Sequence, residues 1–216
     1  MTANAEPGSD LQAGANRSGD HGDFTVCDRQ SPHRANLEQA VRGGFSDHFG
    51  AQIAGFMPYL VRFRAGGSEA IIGFRPAADE ALYLENYLDA PIEETVKRFR
   101  VGSLSRAAFV EVGQLVASDR SVIEPLFRAL VPFLRQQGFK WICFTATHKV
   151  RALLAHAGLR GLMIAAARED SLHTHEAWGS YYAYDPMVMV GSLDDPQGCW
   201  CEALQNHGRV LAAVGD

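Results

Sequence analysis

No stretch of the chain is apolar for long enough to cross a bilayer, and Met1 to Asp10 carry neither the basic nor the apolar stretch of a secretory leader. A soluble, cytoplasmic protein is expected. Positive charge is also scarce: the formal net charge is −5, and no basic stripe could displace phosphate counterions, which excludes a nucleic-acid partner. Cysteine is limited to Cys27, Cys143, Cys199 and Cys201, whose spacing builds no disulfide framework. Cys199-Trp200-Cys201 has no second pair to complete a tetrahedral zinc site, and His173-Thr174-His175 has no obvious further ligand. Reduced thiols and no metal are the expectation.

The 216 residues, 47% of them hydrophobic, suffice for one sizeable domain. Residues 1–33 hold hardly any large apolar side chain and read as a disordered tail. A folded domain is expected over 34–193, followed by a C-terminal tail over 194–216 with a short helix around Trp200 to Asn206.

Leu37, Ala40, Val41, Phe45 and Phe49 trace a helical stripe, weakened by Gly43-Gly44. Tyr59 to Arg64 and Glu69 to Arg75 read as antiparallel strands joined at Gly66-Gly67. Leu82 to Leu88 fits a strand or a helix. Pro91 opens a helix that turns Ile92, Val96 and Phe99 inward. Phe109 to Ser118, an amphipathic helix from Ser121 to Gly138 and Lys140 to Thr147 form a strand-helix-strand crossover, which makes the two strands parallel and buried. Ser121 and Glu124 suggest a capping box for that helix, and Pro132 a kink near Arg128. A short helix from Lys149 to His156, an apolar segment from Leu162 to Ala167 and a last strand from Met187 to Gly191 close an α/β domain with a mixed sheet.

One charged residue, Glu111, lies inside the first buried parallel strand. A carboxylate there is costly unless it has a partner or a task.

Six blocks occur in order: Phe56-Met57-Pro58-Tyr59-Leu60; Gly73-Phe74-Arg75-Pro76-Ala77; Tyr83 to Glu93; Val110-Glu111-Val112-Gly113-Gln114-Leu115; Phe144-Thr145-Ala146-Thr147; and Trp178-Gly179-Ser180-Tyr181-Tyr182, followed by Pro186 and Val188 to Gly191. Together they resemble the signature of the thermostable hemolysin family, over roughly Phe45 to Gly191. That family is similar to acyltransferases and to acyl-homoserine-lactone synthases. The resemblance implies an acyl-CoA N-acyltransferase (GNAT-like) fold whose central parallel strands splay apart around an acyl-pantetheine arm.

If so, the chain moves a fatty acyl group from a thioester to a small amine or other small acceptor. Such chemistry needs a base, a positioned donor and a proton for the leaving thiolate. Glu111 is the base, or else a structural carboxylate paired with Arg75 or Arg106. Tyr181 or Tyr182 supplies the proton, or merely packs with Trp178. Glu85, Tyr87, Asp89, Arg75, Gln114 and Trp178 are acceptor-side residues. Val112, Leu115, Arg120, Thr145 and Thr147 are donor-side residues. In the lactone-synthase relatives a basic residue follows the strand acid by three positions; here Gln114 stands there, and the resemblance does not carry the same acceptor over.

The loop Ala117-Ser118-Asp119-Arg120-Ser121 has no glycine to cradle a pyrophosphate, and Asp119 would repel one. An acyl carrier protein is therefore preferred over acyl-CoA as donor. A membrane-active cytolysin without enzymatic activity, and a binding module that keeps the fold, are the rival readings.

Overall fold

The computed structural model describes residues 16–19, 22–99, 104–156, 159, 161–172 and 177–194. Eight strands are Asn16–Gly19 (β1), Gly22–Cys27 (β2), Tyr59–Ala65 (β3), Ser68–Pro76 (β4), Phe109–Ala117 (β5), Trp141–Ala146 (β6), Leu162–Ala166 (β7) and Met187–Ser192 (β8). They form one sheet in the order β1-β2-β3-β4-β5-β6-β8-β7. All neighbours run antiparallel except β5 and β6, which the crossover makes parallel. Gly66 and Gly67, both at positive φ (56° and 80°), make the two-residue turn between β3 and β4.

Side chains alternate across the sheet and divide the core. Val61, Phe63, Ile72, Phe74, Val110, Val112 and Ile142 face one side, where they meet the helix Ile123–Gln136 (α3). That helix buries Leu126, Phe127, Leu130, Phe133 and Leu134, a stripe with helical spacing. Leu154 of the helix His148–His156 (α4) joins the same cluster. Leu60 and Ile71 face the other side, under Leu37, Val41 and Phe45 of the helix Arg34–Phe49 (α1). Ile92 and Val96 of the short helix Ile92–Lys97 (α2) pack there with Phe109, Trp141 and Val190. Each large apolar side chain so enclosed stabilises the fold by roughly 1.5–3 kcal/mol relative to exposure.

Several expectations need correction. The segment expected to be disordered up to His33 includes β2, which pairs with β3 from Asp23↔Arg64 to Cys27↔Leu60 and buries Phe24, Val26 and Cys27. Apolar residues alternating with polar ones between Gly22 and Asp28 carry that strand. The Ser121–Glu124 capping box does not form. Asp119 reaches the Ser121 amide (2.8 Å) and starts a 3₁₀ turn over Arg120–Val122, while Glu124 pairs with Arg128 one turn on. Residues 82–88 form a 3₁₀ turn, Tyr83–Tyr87, and α2 ends at Lys97, short of Phe99. Pro132 lies inside α3, as its place in the sequence implies. His173, His175, Cys199, Cys201 and nearly all of the expected C-terminal tail lie outside the described residues, among which no helix is long and apolar enough to cross a membrane.

The glycine pair of α1 separates two effects. A Cβ on Gly44 would come within 2.6 Å of Val116 Cγ1 on β5, whereas one on Gly43 would meet nothing within 4 Å. Gly44→Ala should therefore destabilise by about 1–3 kcal/mol through overpacking. Gly43→Ala should leave stability unchanged or raise it by up to about 1 kcal/mol through helix propensity. Urea midpoints of the two variants check the contrast.

Candidate active site

The two parallel strands stay together for three residue pairs only: Phe109↔Trp141, Val110↔Ile142 and Glu111↔Cys143. Beyond Glu111 each strand follows its antiparallel partner. β6 pairs with β8 along its whole length, and β5 stays with β4 to Ala117. Between Ile71 and Gly73 the β4–β5 register shifts, and Gln114 adopts φ 55°, an extra residue that bends β5 away. Gln114 is held there by its amide group, which accepts from Met57 N (3.0 Å) and donates to Gly55 O (2.8 Å). The parted strands open a cavity of about 210 Å³.

Glu111 lies where the strands part. Its residue is 3% exposed, and its two oxygens accept from the amides of Tyr83 (2.8 Å) and Leu84 (3.0 Å). Arg75 Nη1 stands 3.9 Å away. Burial pushes the carboxyl up to about 7, against the pull of Arg75 and the two amides. Arg106 is engaged elsewhere, with Glu85 (2.6 Å) and Glu93 (2.9 Å), so of the two expected cationic partners only Arg75 is near.

An aromatic wall flanks the acid. Tyr83, Tyr87, Trp178 and Tyr181 line the cavity with Phe45 and Phe49 of α1. The rings lock together: Tyr83 with Trp178 at 5.6 Å, Trp178 with Tyr181 at 5.4 Å, Phe49 with Tyr181 at 5.2 Å. Trp178 Nε1 donates to the Tyr83 hydroxyl (3.0 Å), and the hydroxyls of Tyr87 and Tyr182 share a hydrogen bond (2.7 Å). Burial raises the Tyr87 and Tyr181 phenols, which therefore stay protonated at neutral pH. The wall is tied to the end of α1 by Ser180 N, which donates to Phe49 O (2.8 Å), and to the segment after that helix by the Gln52↔Ala177 bridge.

The opposite wall is apolar: Val112, Leu115, Phe127, Phe144, Val150 and Leu154, with Thr145 and Thr147 on the β6 side. At the start of α3 the free amides are few. Ser118 N donates to Glu69 O, Ser121 N to the Asp119 carboxylate, Val122 N to Asp119 O and Ile123 N to Arg120 O.

The structure thus gathers Glu111, Tyr181, Tyr87, Arg75, Gln114, Trp178, Val112, Leu115, Thr145 and Thr147 around one cavity. Tyr182 stands behind Tyr87 and does not line it. Glu85 is held by Arg106 and by the amides of Leu82 and Ile92, Asp89 forms an exposed pair with Arg98, and Arg120 is exposed on the loop before α3; none of the three lines the cavity. Tyr83 and the α1 rings Phe45 and Phe49 were not among the sequence candidates. Tyr83 opens one of the quoted blocks, which was its signal; Phe45 and Phe49 read only as a packing stripe.

This sheet, parted at its parallel pair, is an acyltransferase fold of the acyl-CoA N-acyltransferase type. Solved structures that share it include FeeM, an N-acyl amino acid synthase from uncultured soil microbes (13% identity, TM-score 0.52, covering 81% of this chain and 93% of that one). They also include the AHL synthase LasI (12%, 0.51, 81% and 91%) and BjaI, a CoA-dependent acyl-homoserine lactone synthase solved with SAM and isopentyl-CoA (10%, 0.50, 88% and 89%). No curated protein matches the sequence. The chain belongs to the thermostable hemolysin family, whose sequence profile matches residues 27–196.

The raised Glu111 carboxyl gives stability a defined pH dependence. A group held above its ordinary value of 4.5, here at about 7, favours folding in its protonated form. That contribution is complete below about 4.5 and is lost as pH rises through 7. Glu111→Gln cannot titrate, so the stability difference between it and the wild type should change by about 3 kcal/mol across this window, in favour of the variant at high pH. Denaturant titrations of both proteins from pH 4 to 8 (~one-unit steps) check it; parallel curves would contradict it.

Proposed function

We propose that this protein transfers a fatty acyl group from a pantetheine thioester to a small amine. The observation that carries the reading is the parting of β5 from β6 immediately after Glu111, between an apolar wall and an aromatic one. Beyond Glu111 the facing edges of β5 and β6 no longer pair with each other, which leaves room for the amide-bearing arm of the donor.

In this reading the amine enters from the aromatic side and attacks the thioester carbonyl. The N–C bond forms, and the amine proton passes to the Glu111 carboxylate directly or through a water. The C–S bond then breaks, the thiolate takes the proton of the Tyr181 phenol, and the proton held by Glu111 passes back to the phenoxide, which burial disfavours. A base with a pKa near 7 is matched to work at neutral pH. Arg75 keeps the neighbouring carboxylate accessible as an anion, and Gln114 straps the loop 55–57 over the bend in β5.

The donor is an acyl carrier protein in preference to free acyl-CoA. A pyrophosphate requires several free amides at the start of α3, and those of residues 118 and 121–123 already have acceptors. Haemolysis, for which the family is named, then follows from an acylated, surfactant-like product.

Turnover with acyl carrier protein should exceed that with acyl-CoA of the same chain length at equal concentration; a clear preference for acyl-CoA would sink the donor assignment. For the base, Glu111→Gln should lower the rate by about 100- to 10,000-fold and abolish the inflection near pH 7, where the wild-type rate rises with pH. A variant that keeps both rate and inflection removes Glu111 from the chemistry.

A further inference from the structure

The charges and rings that line the cleft bear on which amine it takes. We infer that the acceptor is a monoamine with an apolar aryl or alkyl body and no carboxylate beside its nitrogen, in preference to an amino acid. This inference rests on the acyl-transfer reading of the cleft and adds to it the class of the acceptor.

The first observation is the balance of charge. Among the described residues that line the cavity, Arg75 is the only basic one and Glu111 the only acidic one. The charge of Arg75 is already matched: Nε lies 3.0 Å from Glu80 Oε1, while Nη1 donates to Ala81 O (3.1 Å) and stands 3.9 Å from Glu111. Nε and Glu80 Oε1 are buried against each other, out of a ligand's reach. An amino acid carries its carboxylate two bonds from the nitrogen that must meet Glu111. That group would enter the cleft beside another carboxylate, stripped of water and facing a cation already engaged, which is costly. An ammonium, by contrast, meets a carboxylate at the point where the strands part.

The second observation is where the polar groups of the aromatic side are directed. The amides of Tyr83 and Leu84 are bound to Glu111, and Trp178 Nε1 to the Tyr83 hydroxyl. The Tyr87 hydroxyl bonds that of Tyr182, and the Gln114 side chain is tied to the loop 55–57. These groups offer no substitute for a cation. Glu85 and Asp89 are held by Arg106 and Arg98 and lie off the cavity, so a second ammonium on the acceptor has no seat there either.

What this side presents is ring surface, from Phe45, Phe49, Tyr83, Tyr87, Trp178 and Tyr181. Aromatic rings attract an ammonium and bury an apolar body at the same time. An apolar amine uses both properties.

The test is kcat/KM for two matched pairs that differ by one carboxylate: phenethylamine against phenylalanine, and isopentylamine against leucine. The full chain is used with whichever of acyl carrier protein or acyl-CoA is the faster donor. Each amine should be acylated at least ~100-fold more efficiently than its amino acid. Arg75→Gln should lower turnover of every acceptor alike and leave both ratios unchanged, because Arg75 acts on Glu111. Trp178→Phe should raise KM for phenethylamine and leave that of the donor unchanged. An amino acid that equals or exceeds its amine overturns the inference, as does an Arg75→Gln variant that loses amino-acid turnover alone, or a Trp178→Phe variant that changes only the donor's KM; the acyl-transfer reading then stands. If none of the four acceptors is acylated, that reading fails as well.

Discussion

The structure depends on one buried carboxylate placed where a sheet comes apart. Glu111 ends the parallel ladder, and its oxygens bind the amides of Tyr83 and Leu84, so the same side chain marks the opening and anchors the 3₁₀ turn that walls it. The arrangement costs free energy, since burial works against the charged form. Two amides and Arg75 offset part of that cost and leave a carboxyl balanced near neutrality. Glu85, by contrast, has a direct salt bridge with Arg106. Glu111 has only a distant cation at 3.9 Å and a cavity in front of it.

The two walls differ in character. On one side, α3 and α4 present aliphatic and phenylalanine side chains, an apolar surface. On the other, interlocked rings come from α1, the 3₁₀ turn and residues 178–181; Trp178 Nε1 donates to the Tyr83 hydroxyl, and the Tyr87 hydroxyl bonds that of Tyr182 behind it. Gln114 links the walls through backbone geometry. The residue that bends β5 also ties down the loop carrying Met57, and Met57 in turn packs where Gly73 and Gly113 have no side chains. Strand divergence, loop position and cavity shape therefore vary together.

Much of this was legible in the sequence, for physical reasons. The hairpin at Gly66-Gly67 and the crossover from Phe109 to Ala146 declare themselves by period and by turn residues, and a lone acid in a β-branched run stands out against its neighbours. Less visible was what depends on distant partners. β2 is short and follows a polar segment, so its alternation of Phe24 and Val26 was outweighed by composition. Asp119 outcompeted Ser121 for the cap because a carboxylate two residues back reaches the amide directly. Glu85 and Asp89 carry the right charge for an acceptor site, but Arg106 and Arg98, distant in sequence or lying beyond a turn, claim them. Phe45 and Phe49 follow a packing stripe, and only the folded chain shows that this stripe reaches the cavity.

The most direct test of the central claim is a crystal structure with an unreactive acyl-phosphopantetheine thioether. The account predicts that the arm lies between β5 and β6 with its sulfur beside Glu111 and its acyl chain against Phe127, Phe144 and Leu154. An arm bound elsewhere, or β5 and β6 closed along their length over an empty site, would contradict it.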